Sequence, residues 1–458
     1  MIYKTKPYAH QSRALDISVW QKNFALLMDM GTGKTKVAID TAVNLPVNLA
    51  VVFCPKVCQT NWINEIETHS DARAYLWKAT LTAKKKADII ASMTYHRQKG
   101  LVFLVINYEA LLTKAGAVLF DVVDGKTILI LDESTRIKTP SAKRTKAIIE
   151  LGKQAGYKRI LTGLPIPNSP LDFYAQFNFL DKNIIGQPSW TAFRREYAQL
   201  MLDDFNGRKF YKVVGYRNIP RLMSIVARHS FRVIKEECLD LPEKVYQTIQ
   251  LDLSDTQGRL YQQMKEDLLI EVKGRSFAAP VVLTKLLRLQ QITGGFLKDG
   301  DDPALVFKTN PKLEALKNLV EDTGKQIIVW CRFVKEVHMV LAAVDGVAHV
   351  GEMKAYDRQD AIDGFRAGKY RVLVATASSC GIGINLVNCD TVVYYSNSFN
   401  LEERLQSEDR CHRIGQVNKV TYIDLICEDT IDVKIKEALD SKLSFSKLLQ
   451  SNDLGGVL

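Results

Sequence analysis

The segment Gly31-Thr32-Gly33-Lys34-Thr35 combines glycines, a lysine and a hydroxyl at a spacing that suits chemistry on phosphate groups. It follows the apolar run 24–27, which indicates a buried strand, and leads into a segment with helical periodicity. Glycines let backbone N–H groups approach phosphate oxygens, and the N-terminus of the following helix favours negative charge. We therefore expect Lys34 to reach the β- and γ-phosphates of a nucleotide and the Thr35 hydroxyl to ligate Mg²⁺.

This segment alone also fits an ordinary strand, turn and helix, because Met28 stands where the full phosphate-loop pattern has a glycine. A second feature is the acidic pair Asp132-Glu133, directly after the apolar run 127–131. Ligands of parallel sheets bind beyond the carboxyl ends of the strands. Asp132 is expected to hold Mg²⁺, and Glu133 to orient and polarise an attacking water. An acidic pair at a strand end is often only solvated, but the pair and the loop together indicate hydrolysis of ATP.

The elements that must position these residues are continuous apolar runs rather than alternating ones. Such runs indicate strands covered on both faces, and hence parallel sheets with helices on either side. Further runs of this kind lie at 49–54, 101–108, 157–161, 326–333, 371–377, 391–396 and 420–426. The sequence therefore predicts an α/β fold with two lobes.

Between the two blocks of runs, aromatic and charged residues mix without clear strands, which predicts helical insertions. The predicted domains are a first, ATP-binding lobe at 1–235 with a helical insertion at about 181–235, a linker and helical insertion at 236–310, and a second lobe at 311–458. The second lobe is expected to end in a charged amphipathic helix.

Composition bounds the class of protein. The chain has 458 residues, of which 47% are hydrophobic and 25% charged, as in globular proteins with substantial cores. Its formal charge of +11 is compatible with a polyanionic partner. The sequence contains neither an apolar stretch long enough for a membrane span nor a metal-ligand cluster with zinc-site spacing. The N-terminus lacks an apolar signal core, so we expect a cytoplasmic protein in a prokaryote or a phage-infected host, or a nuclear one in a eukaryote.

A third feature lies in the second lobe, where residues 406–416 read Gln-Ser-Glu-Asp-Arg-Cys-His-Arg-Ile-Gly-Gln. This segment resembles QxxxRxHRxGQ, the sixth motif of the SWI/SNF-type DNA translocases of helicase superfamily 2. Other segments resemble that family's motifs in the same order: 7–11, 29–35, 54–65, 107–109, 132–143, 161–168 and 376–386. The resemblance implies two RecA-like lobes, each a parallel sheet sandwiched by helices, and it covers the chain from residue 7 to about 432.

The resemblance also implies further site residues. Gln11 is expected to read the adenine edge, and Gly383 to belong to the ATP site. Arg410 and Arg413 are expected to complete that site from the second lobe. The implied contacts with DNA phosphates are Lys56, Lys138 and Arg332, together with main-chain groups around Thr162 and Thr376. ATP and Mg²⁺ are the expected cofactors, and the expected partner of a monomeric protein is DNA, duplex or branched.

The chain departs from the family pattern at several positions: Thr135 replaces a histidine, Leu164 a threonine and Cys380 a glycine, and Phe399-Asn400 stands where Trp-Asn-Pro is usual. None of these departures removes a group needed for hydrolysis. Three functions are open: translocation along duplex DNA, strand separation or fork reversal by a helicase, and DNA binding by a non-catalytic scaffold. The first is favoured. The residues needed for hydrolysis are intact, which argues against the third: Lys34, Asp132, Glu133, Arg410 and Arg413.

Overall fold

The computed structural model of the chain describes residues 1–78, 80–163, 169–205, 208–274, 279–298, 304–377, 379 and 384–450, with backbone alone at 205, 208, 267–274, 279–283, 355 and 445–450. The chain divides into two compact units. Most of the first lies within Met1–Asp240 and most of the second within Leu241–Phe445. Within the described ranges, no helix is both long and apolar enough to cross a membrane.

The first unit is built on a seven-stranded, all-parallel sheet with the strand order β3-β4-β2-β5-β6-β1-β9. Its strands are β1 (Asn23–Met28), β2 (Leu49–Cys54), β3 (Arg73–Trp77), β4 (Val102–Asn107), β5 (Thr127–Asp132), β6 (Tyr157–Thr162) and β9 (Ser230–Val233). Every residue of β2, β4 and β5 is buried, as expected for strands covered by helices on both faces.

The helices of the first unit are α1 (Ala9–Ser18), α2 (Lys34–Asn44), α3 (Gln59–His69), α4 (Ala83–His96), α5 (Leu119–Val122), α6 (Lys143–Gly152), α7 (Phe173–Leu180), α8 (Lys182–Ile185), α9 (Trp190–Tyr197), α10 (Ile219–Arg228) and α11 (Lys235–Cys238). A buried arginine, Arg159 of β6, fastens the end of α1 to the sheet. Its guanidinium donates to the carbonyl oxygens of Ser18 at 2.6 Å and Gln21 at 2.7 Å. This contact fixes the helix that carries Gln11.

The insertion predicted at about 181–235 is not purely helical. A two-stranded sheet, β7 (Ala198–Phe205) and β8 (Arg208–Tyr216), lies between α9 and α10, and β9 joins the edge of the main sheet beside β1. Strands β7 and β8 carry apolar side chains, such as Leu202 and Tyr211, that are more than half exposed. Because solvent reaches these side chains, the strands lack the buried apolar run by which the other strands were predicted.

The second unit contains a six-stranded, all-parallel sheet with the order β10-β17-β16-β13-β15-β14. Its strands are β10 (Lys244–Leu251), β13 (Ile327–Cys331), β14 (Val347–His349), β15 (Val372–Thr376), β16 (Thr391–Tyr394) and β17 (Val420–Cys427), and a small antiparallel pair is formed by β11 (Phe296–Leu297) and β12 (Leu305–Val306). The helices are α12 (Asp255–Gly274), α13 (Ala279–Thr293), α14 (Pro311–Thr323), α15 (Val334–Leu341), α16 (Ala355–Arg366), α17 (Leu401–Glu408) and α18 (Ile431–Gln450).

The predicted fold class, α/β with two parallel sheets flanked by helices, is confirmed. Strand β10 lies within the segment predicted as a linker, where it forms the edge of the second sheet by pairing with β17. Most of its residues are partly or fully exposed, so its sequence lacks the continuous apolar run of the central strands. The described chain passes into the second unit at Leu241, and β10 begins three residues later.

Candidate active site

The glycine-rich loop connects the carboxyl end of β1 to the first turn of α2. Gly31 and Gly33 have φ values of 81° and 87°, a left-handed conformation that glycine adopts without strain. Gly33 caps α2, so that Lys34 is the first helical residue and the free N–H groups of the helix N-terminus follow the loop. The loop thus has the backbone conformation that an anion-binding turn requires.

The side chain of Gln11 packs directly against this loop. Its Nε2 donates to the Thr32 carbonyl oxygen at 3.0 Å, and its Oε1 accepts from the Tyr8 amide at 3.0 Å. A Cβ atom on Gly33 would lie 2.1 Å from Gln11 Nε2, so only glycine leaves room for this contact. His10, which the sequence did not single out, also bonds the Thr32 carbonyl through Nε2 at 2.7 Å. Gln11 and His10 therefore hold the loop in place.

The carboxylate of Asp132 lies at the end of β5, two strands from β1 in the sheet. Trp62 Nε1 donates to its Oδ2 at 2.8 Å, and the Glu133 amide donates to its Oδ1 at 3.1 Å. Burial raises the pKa of Asp132, while the Trp62 hydrogen bond and the charge of Lys34 act in the opposite direction. The electrostatic effect of Lys34 indicates that the lysine and the carboxylate share one site.

Two further features fix the end of β5. Tyr108, buried beside the strand, donates its hydroxyl to the Asp132 carbonyl at 2.7 Å. Burial and the charge of Asp132 raise the pKa of Tyr108 well above its usual value, so the hydroxyl remains a donor. Glu133 has a φ of 50°, a left-handed conformation that is uncommon for a residue with a side chain. Such strain is typical of functional positions, and here it turns the chain sharply after Asp132.

The oxygen donors at this edge fit Mg²⁺. Oδ2 of Asp132 accepts from the Trp62 indole and Oδ1 from the Glu133 amide, and a carboxylate oxygen has capacity for a second partner. A carboxylate with a hydroxyl such as that of Thr35 is the donor chemistry that Mg²⁺ prefers, usually alongside substrate phosphate and water. Across the described ranges, no group of three or more His, Cys, Asp or Glu side chains could hold a metal by itself. These residues therefore fit a Mg²⁺ site in which the protein supplies some of the ligands and the phosphates of a bound nucleotide supply others.

Replacing Trp62 by phenylalanine is expected to raise the Mg²⁺ concentration needed for half-maximal ATP hydrolysis by about 10- to 100-fold, because the carboxylate loses the donor that orients it. The measurement is ATPase rate against free Mg²⁺ at saturating ATP. Trp20→Phe, a change at an 84% exposed tryptophan, is the control. An unchanged Mg²⁺ requirement in Trp62→Phe would show that the indole has no part in holding Asp132.

The second unit contains the arginine segment, residues 408–413, at the end of α17. Arg410 is buried, and its carbonyl accepts from the Leu386 amide at 2.9 Å. Arg413 is partly exposed, and Gln416 closes the turn that follows it by donating to the carbonyl oxygens of Val387, Cys389 and Cys411. The turn that carries Arg413 is therefore fixed by main-chain contacts. The roles of both arginines toward ATP stay predictions.

The residues predicted to contact DNA all lie at or after the carboxyl ends of strands. In the first unit, Lys56 is exposed after β2, Lys138 is partly exposed after β5, and Thr162 is buried at the end of β6. In the second unit, Arg332 is partly exposed after β13, and Thr376 is buried at the end of β15. Because both threonine side chains are buried, the predicted contacts with DNA are the main-chain groups around them.

The backbone at Arg332 is held by a buried carboxyl group. Glu336 Oε2 accepts from the amides of Arg332 at 3.1 Å and Phe333 at 3.0 Å, and from the Ser396 hydroxyl at 2.5 Å. Burial raises the pKa of Glu336 to about 7, although these hydrogen bonds and the charge of Lys312 oppose the shift. Glu336 therefore joins the ends of β13 and β16, and its effect on folding stability depends on pH.

The pH dependence of stability tests this assignment. A carboxyl group in an unfolded chain has a pKa of about 4.3. Because the folded value of about 7 is higher, the unfolded chain releases its proton first, and Glu336 lowers folding stability progressively between these two values as pH rises. In Glu336→Gln, the drop in melting temperature between pH 5 and pH 8 is expected to shrink. Glu314→Gln, at an exposed site, is the control, and an unchanged drop in Glu336→Gln would contradict the raised pKa.

Several sequence predictions fall outside the described residues: Gly383 of the ATP site, and the departures Leu164 and Cys380. Of the remaining departures, Thr135 is buried beside Ser134, whose hydroxyl donates to Gln176 Oε1 at 2.6 Å. Phe399 is 37% exposed, and Asn400 caps α17 by accepting from the Glu402 amide at 3.1 Å. Asn400 therefore has a structural role at the start of the helix that leads to the arginine segment.

Comparison with protein families gives two matches. A model described as the SNF2-related domain matches residues 10–294, which is more than half of the chain. A model described as the helicase conserved C-terminal domain matches residues 311–415.

Similar individual proteins include the protein CHROMATIN REMODELING 4 of Arabidopsis thaliana, which is 25% identical over 96% of this chain and 21% of its own length. An uncharacterized ATP-dependent helicase of Mycoplasma genitalium is 26% identical over 70% of this chain and 30% of its own length. Among solved structures, a Sulfolobus solfataricus SWI2/SNF2 ATPase core in complex with dsDNA is 22% identical, with a TM-score of 0.43 and coverage of 98% of this chain and 94% of that one. The chain thus spans between a fifth and a third of the length of these two curated relatives.

Proposed function

The chain belongs to the SNF2-related family of superfamily 2 ATPases, and on this premise we propose that it couples ATP hydrolysis to movement along double-stranded DNA. The two parallel-sheet units are the RecA-like lobes of such an ATPase. The observation that carries the proposal is the pairing, in the first lobe, of a glycine-rich loop ending in Lys34 with a buried carboxylate at the end of β5.

The chemistry assigned to each residue follows from its position. The loop amides and Lys34 bind the phosphates, because they combine backbone donors with a cation at a helix N-terminus. Asp132 and Thr35 would hold Mg²⁺, which neutralises charge on the β- and γ-phosphates. Glu133 orients the attacking water and accepts its proton, since it follows Asp132 on the sharp turn after β5. Gln11 keeps the loop in its binding conformation.

Arg410 and Arg413 act, in this proposal, as the cations that stabilise charge developing on the transferred phosphoryl group. An arginine in this role is planar and permanently charged, so it can bind two phosphate oxygens at once. Hydrolysis would then require these arginines to reach a nucleotide bound by the first lobe. Such a requirement allows rearrangement of the lobes to control turnover.

The proposal of DNA as the track is supported by the family, by the formal charge of +11, and by exposed or partly exposed cations at Lys56, Lys138 and Arg332. Contacts with phosphates give little sequence preference and a strong dependence on salt. Among the relatives, a TATA-binding protein-associated factor of Aspergillus fumigatus is 26% identical over 72% of this chain. Displacement or remodelling of proteins on DNA is the activity we propose for this chain.

The test compares ATPase stimulation by duplex, single-stranded and forked DNA and by RNA at matched salt. Duplex DNA is expected to stimulate hydrolysis most. The affinity for DNA is expected to fall steeply between 50 and 200 mM salt, by about 10³-fold if six phosphates are contacted, and stimulation is expected to fall with it. Lys56→Ala and Lys138→Ala should weaken stimulation without changing the basal rate. Glu150→Ala, which removes an exposed charge from the same lobe, is the control.

A second pair of assays separates translocation from strand separation. A translocase displaces the third strand of a triplex without releasing a fluorophore-labelled strand from a fork, whereas a helicase releases that strand. A protein that binds DNA without any DNA-stimulated hydrolysis would be a scaffold, and this result would overturn the proposal.

A further inference from the structure

The arginine segment is held at both ends by the chain that enters the second unit. Before Arg410, the Glu408 carboxylate accepts from Lys244 Nζ at 3.1 Å and from the Tyr246 hydroxyl at 2.8 Å. After Arg410, His412 Nε2 lies 2.7 Å from the Pro242 carbonyl oxygen. A carbonyl oxygen can only accept, so Nε2 carries the hydrogen. We call these three contacts the entry contacts.

The geometry of the entry contacts is specific. Pro242, Lys244 and Tyr246 lie within five residues, at the start of β10, and the described chain crosses from the first unit to the second at Leu241. Glu408 and His412 are four residues apart and flank Arg410. Two short segments that are more than 160 residues apart in sequence are thus joined at two points, one on either side of the arginine.

The ion pair between Lys244 and Glu408 is strengthened by the burial of Glu408. Glu408 is only 2% exposed, and its other carboxylate oxygen accepts from Arg404 Nε at 2.8 Å. Arg404 in turn donates two hydrogen bonds to Asp424 on β17. Burial opposes ionisation of Glu408, but the charges of Lys244 and Arg404 outweigh it and lower the pKa of Glu408. The carboxylate therefore remains ionised and requires both cations.

The backbone at Glu408 is fixed by β17 and by the turn that follows α17. Its carbonyl oxygen accepts from the Tyr422 hydroxyl at 2.9 Å, and the amides of Cys411 and His412 bond to that carbonyl at 3.2 Å. Any displacement of β10 relative to α17 must therefore break a buried ion pair or move the turn that contains Arg410. A rigid connection of this kind transmits displacement rather than absorbing it.

We propose that Lys244 and His412 are positioning residues for ATP hydrolysis, which hold the arginine segment in register with the chain entering the second unit. In this arrangement the position of the connecting chain at Leu241 sets the position of Arg410 and Arg413. The inference rests on the proposed function, because it assigns these arginines a role in hydrolysis. Neither Lys244 nor His412 is assigned to contact the nucleotide.

The test measures basal and DNA-stimulated turnover in Lys244→Met and His412→Ala, with the affinity for ATP measured separately by binding of a fluorescent analogue. We expect kcat to fall by about 10- to 100-fold in each variant, because displacement of a catalytic group by about 1 Å has an effect of this size. Nucleotide affinity and KM are expected to change less than about twofold, since the phosphate loop is in the other unit. Conservative variants, Lys244→Arg and His412→Gln, keep a donor at each position and should restore most of the turnover.

Lys419 provides a matched control. It pairs with Glu243 at 2.9 Å and so also contacts the chain that enters the second unit, but it lies outside the arginine segment and both side chains are about 70% exposed. An exposed pair contributes little, so Lys419→Met should retain wild-type turnover. Tyr246→Phe removes one hydroxyl but leaves Glu408 paired with Lys244 and Arg404, so this variant is expected to fold and to lose less kcat than Lys244→Met.

The outcomes separate this inference from the proposed function. If Arg413→Ala loses turnover while Lys244→Met, His412→Ala and Tyr246→Phe keep it, the positioning role is wrong and the arginine role stands. If Arg413→Ala keeps turnover, the role assigned to that arginine fails, and the inference fails with it. A fall in ATP affinity parallel to the fall in kcat, or no recovery in Lys244→Arg and His412→Gln, would indicate general destabilisation and overturn the inference.

Discussion

Arg413→Ala is expected to bind ATP with almost unchanged affinity and to hydrolyse it about 10³- to 10⁵-fold more slowly, the range observed when an arginine that stabilises phosphoryl transfer is removed. Arg413 suits this test better than Arg410 because it is partly exposed, whereas Arg410 is buried and its loss would also affect packing. The turn around Arg413 is held by the side-chain amide of Gln416, so truncation of the arginine is expected to leave the backbone in place.

Two measurements decide this prediction: binding of a fluorescent ATP analogue and single-turnover hydrolysis at saturating protein. Arg259→Ala, at an exposed arginine of α12 in the same unit, controls for the loss of one positive charge. If Arg413→Ala hydrolyses ATP at the wild-type rate, the second unit does not supply the cation that hydrolysis requires. A parallel loss of binding would instead assign Arg413 to ground-state affinity.

Glu133→Gln is expected to retain ATP binding and to reduce hydrolysis by about 10²- to 10⁴-fold, the usual contribution of a general base. The substitution keeps the length of the side chain, so the left-handed turn at residue 133 experiences the same strain. The amide of residue 133 also continues to donate to Asp132 Oδ1. The carboxylate charge at the water position is therefore the principal property that changes.

This prediction is checked by single-turnover kinetics, with ATP-dependent DNA binding measured in parallel. Glu109→Gln is a useful comparison, because Glu109 is a carboxylate that follows β4, two strands from β5 in the same sheet, and pairs with Asn107 and Arg144. We expect Glu109→Gln to keep most of its turnover. Normal hydrolysis by Glu133→Gln would remove this residue from the chemistry and leave Asp132 as the only acidic group assigned to it.

The candidate site was largely predictable because its signals are local. A loop with two glycines and a lysine needs only neighbouring residues to specify a strand, a left-handed turn and a helix N-terminus, and the structure has all three. The same holds for Asp132, which ends a strand whose six residues are all buried. Continuous burial of these strands also made the two parallel sheets predictable, since no other common arrangement covers both faces.

The supporting contacts were not predictable from local patterns. Trp62 and Asp132 are 70 residues apart, and Tyr108 and Asp132 are 24 apart, so their hydrogen bonds depend on strand order. The family resemblance covers the segments that contain Trp62 and Tyr108, but it did not predict hydrogen bonds from these residues to Asp132. A general signal exists, because a buried tryptophan or tyrosine usually needs a hydrogen-bond partner. The identity of that partner requires the fold.

By itself, the sequence determined which residues could bind phosphate, which carboxylates could assist hydrolysis, and that two parallel sheets would carry them. Only the tertiary structure decided that Gln11 and His10 fasten the phosphate loop, that β10 belongs to the second sheet, and that Lys244 and His412 hold the arginine segment. The physical reason is that periodicity and turn chemistry act over a few residues, whereas these contacts form between segments that meet only once the sheets have assembled.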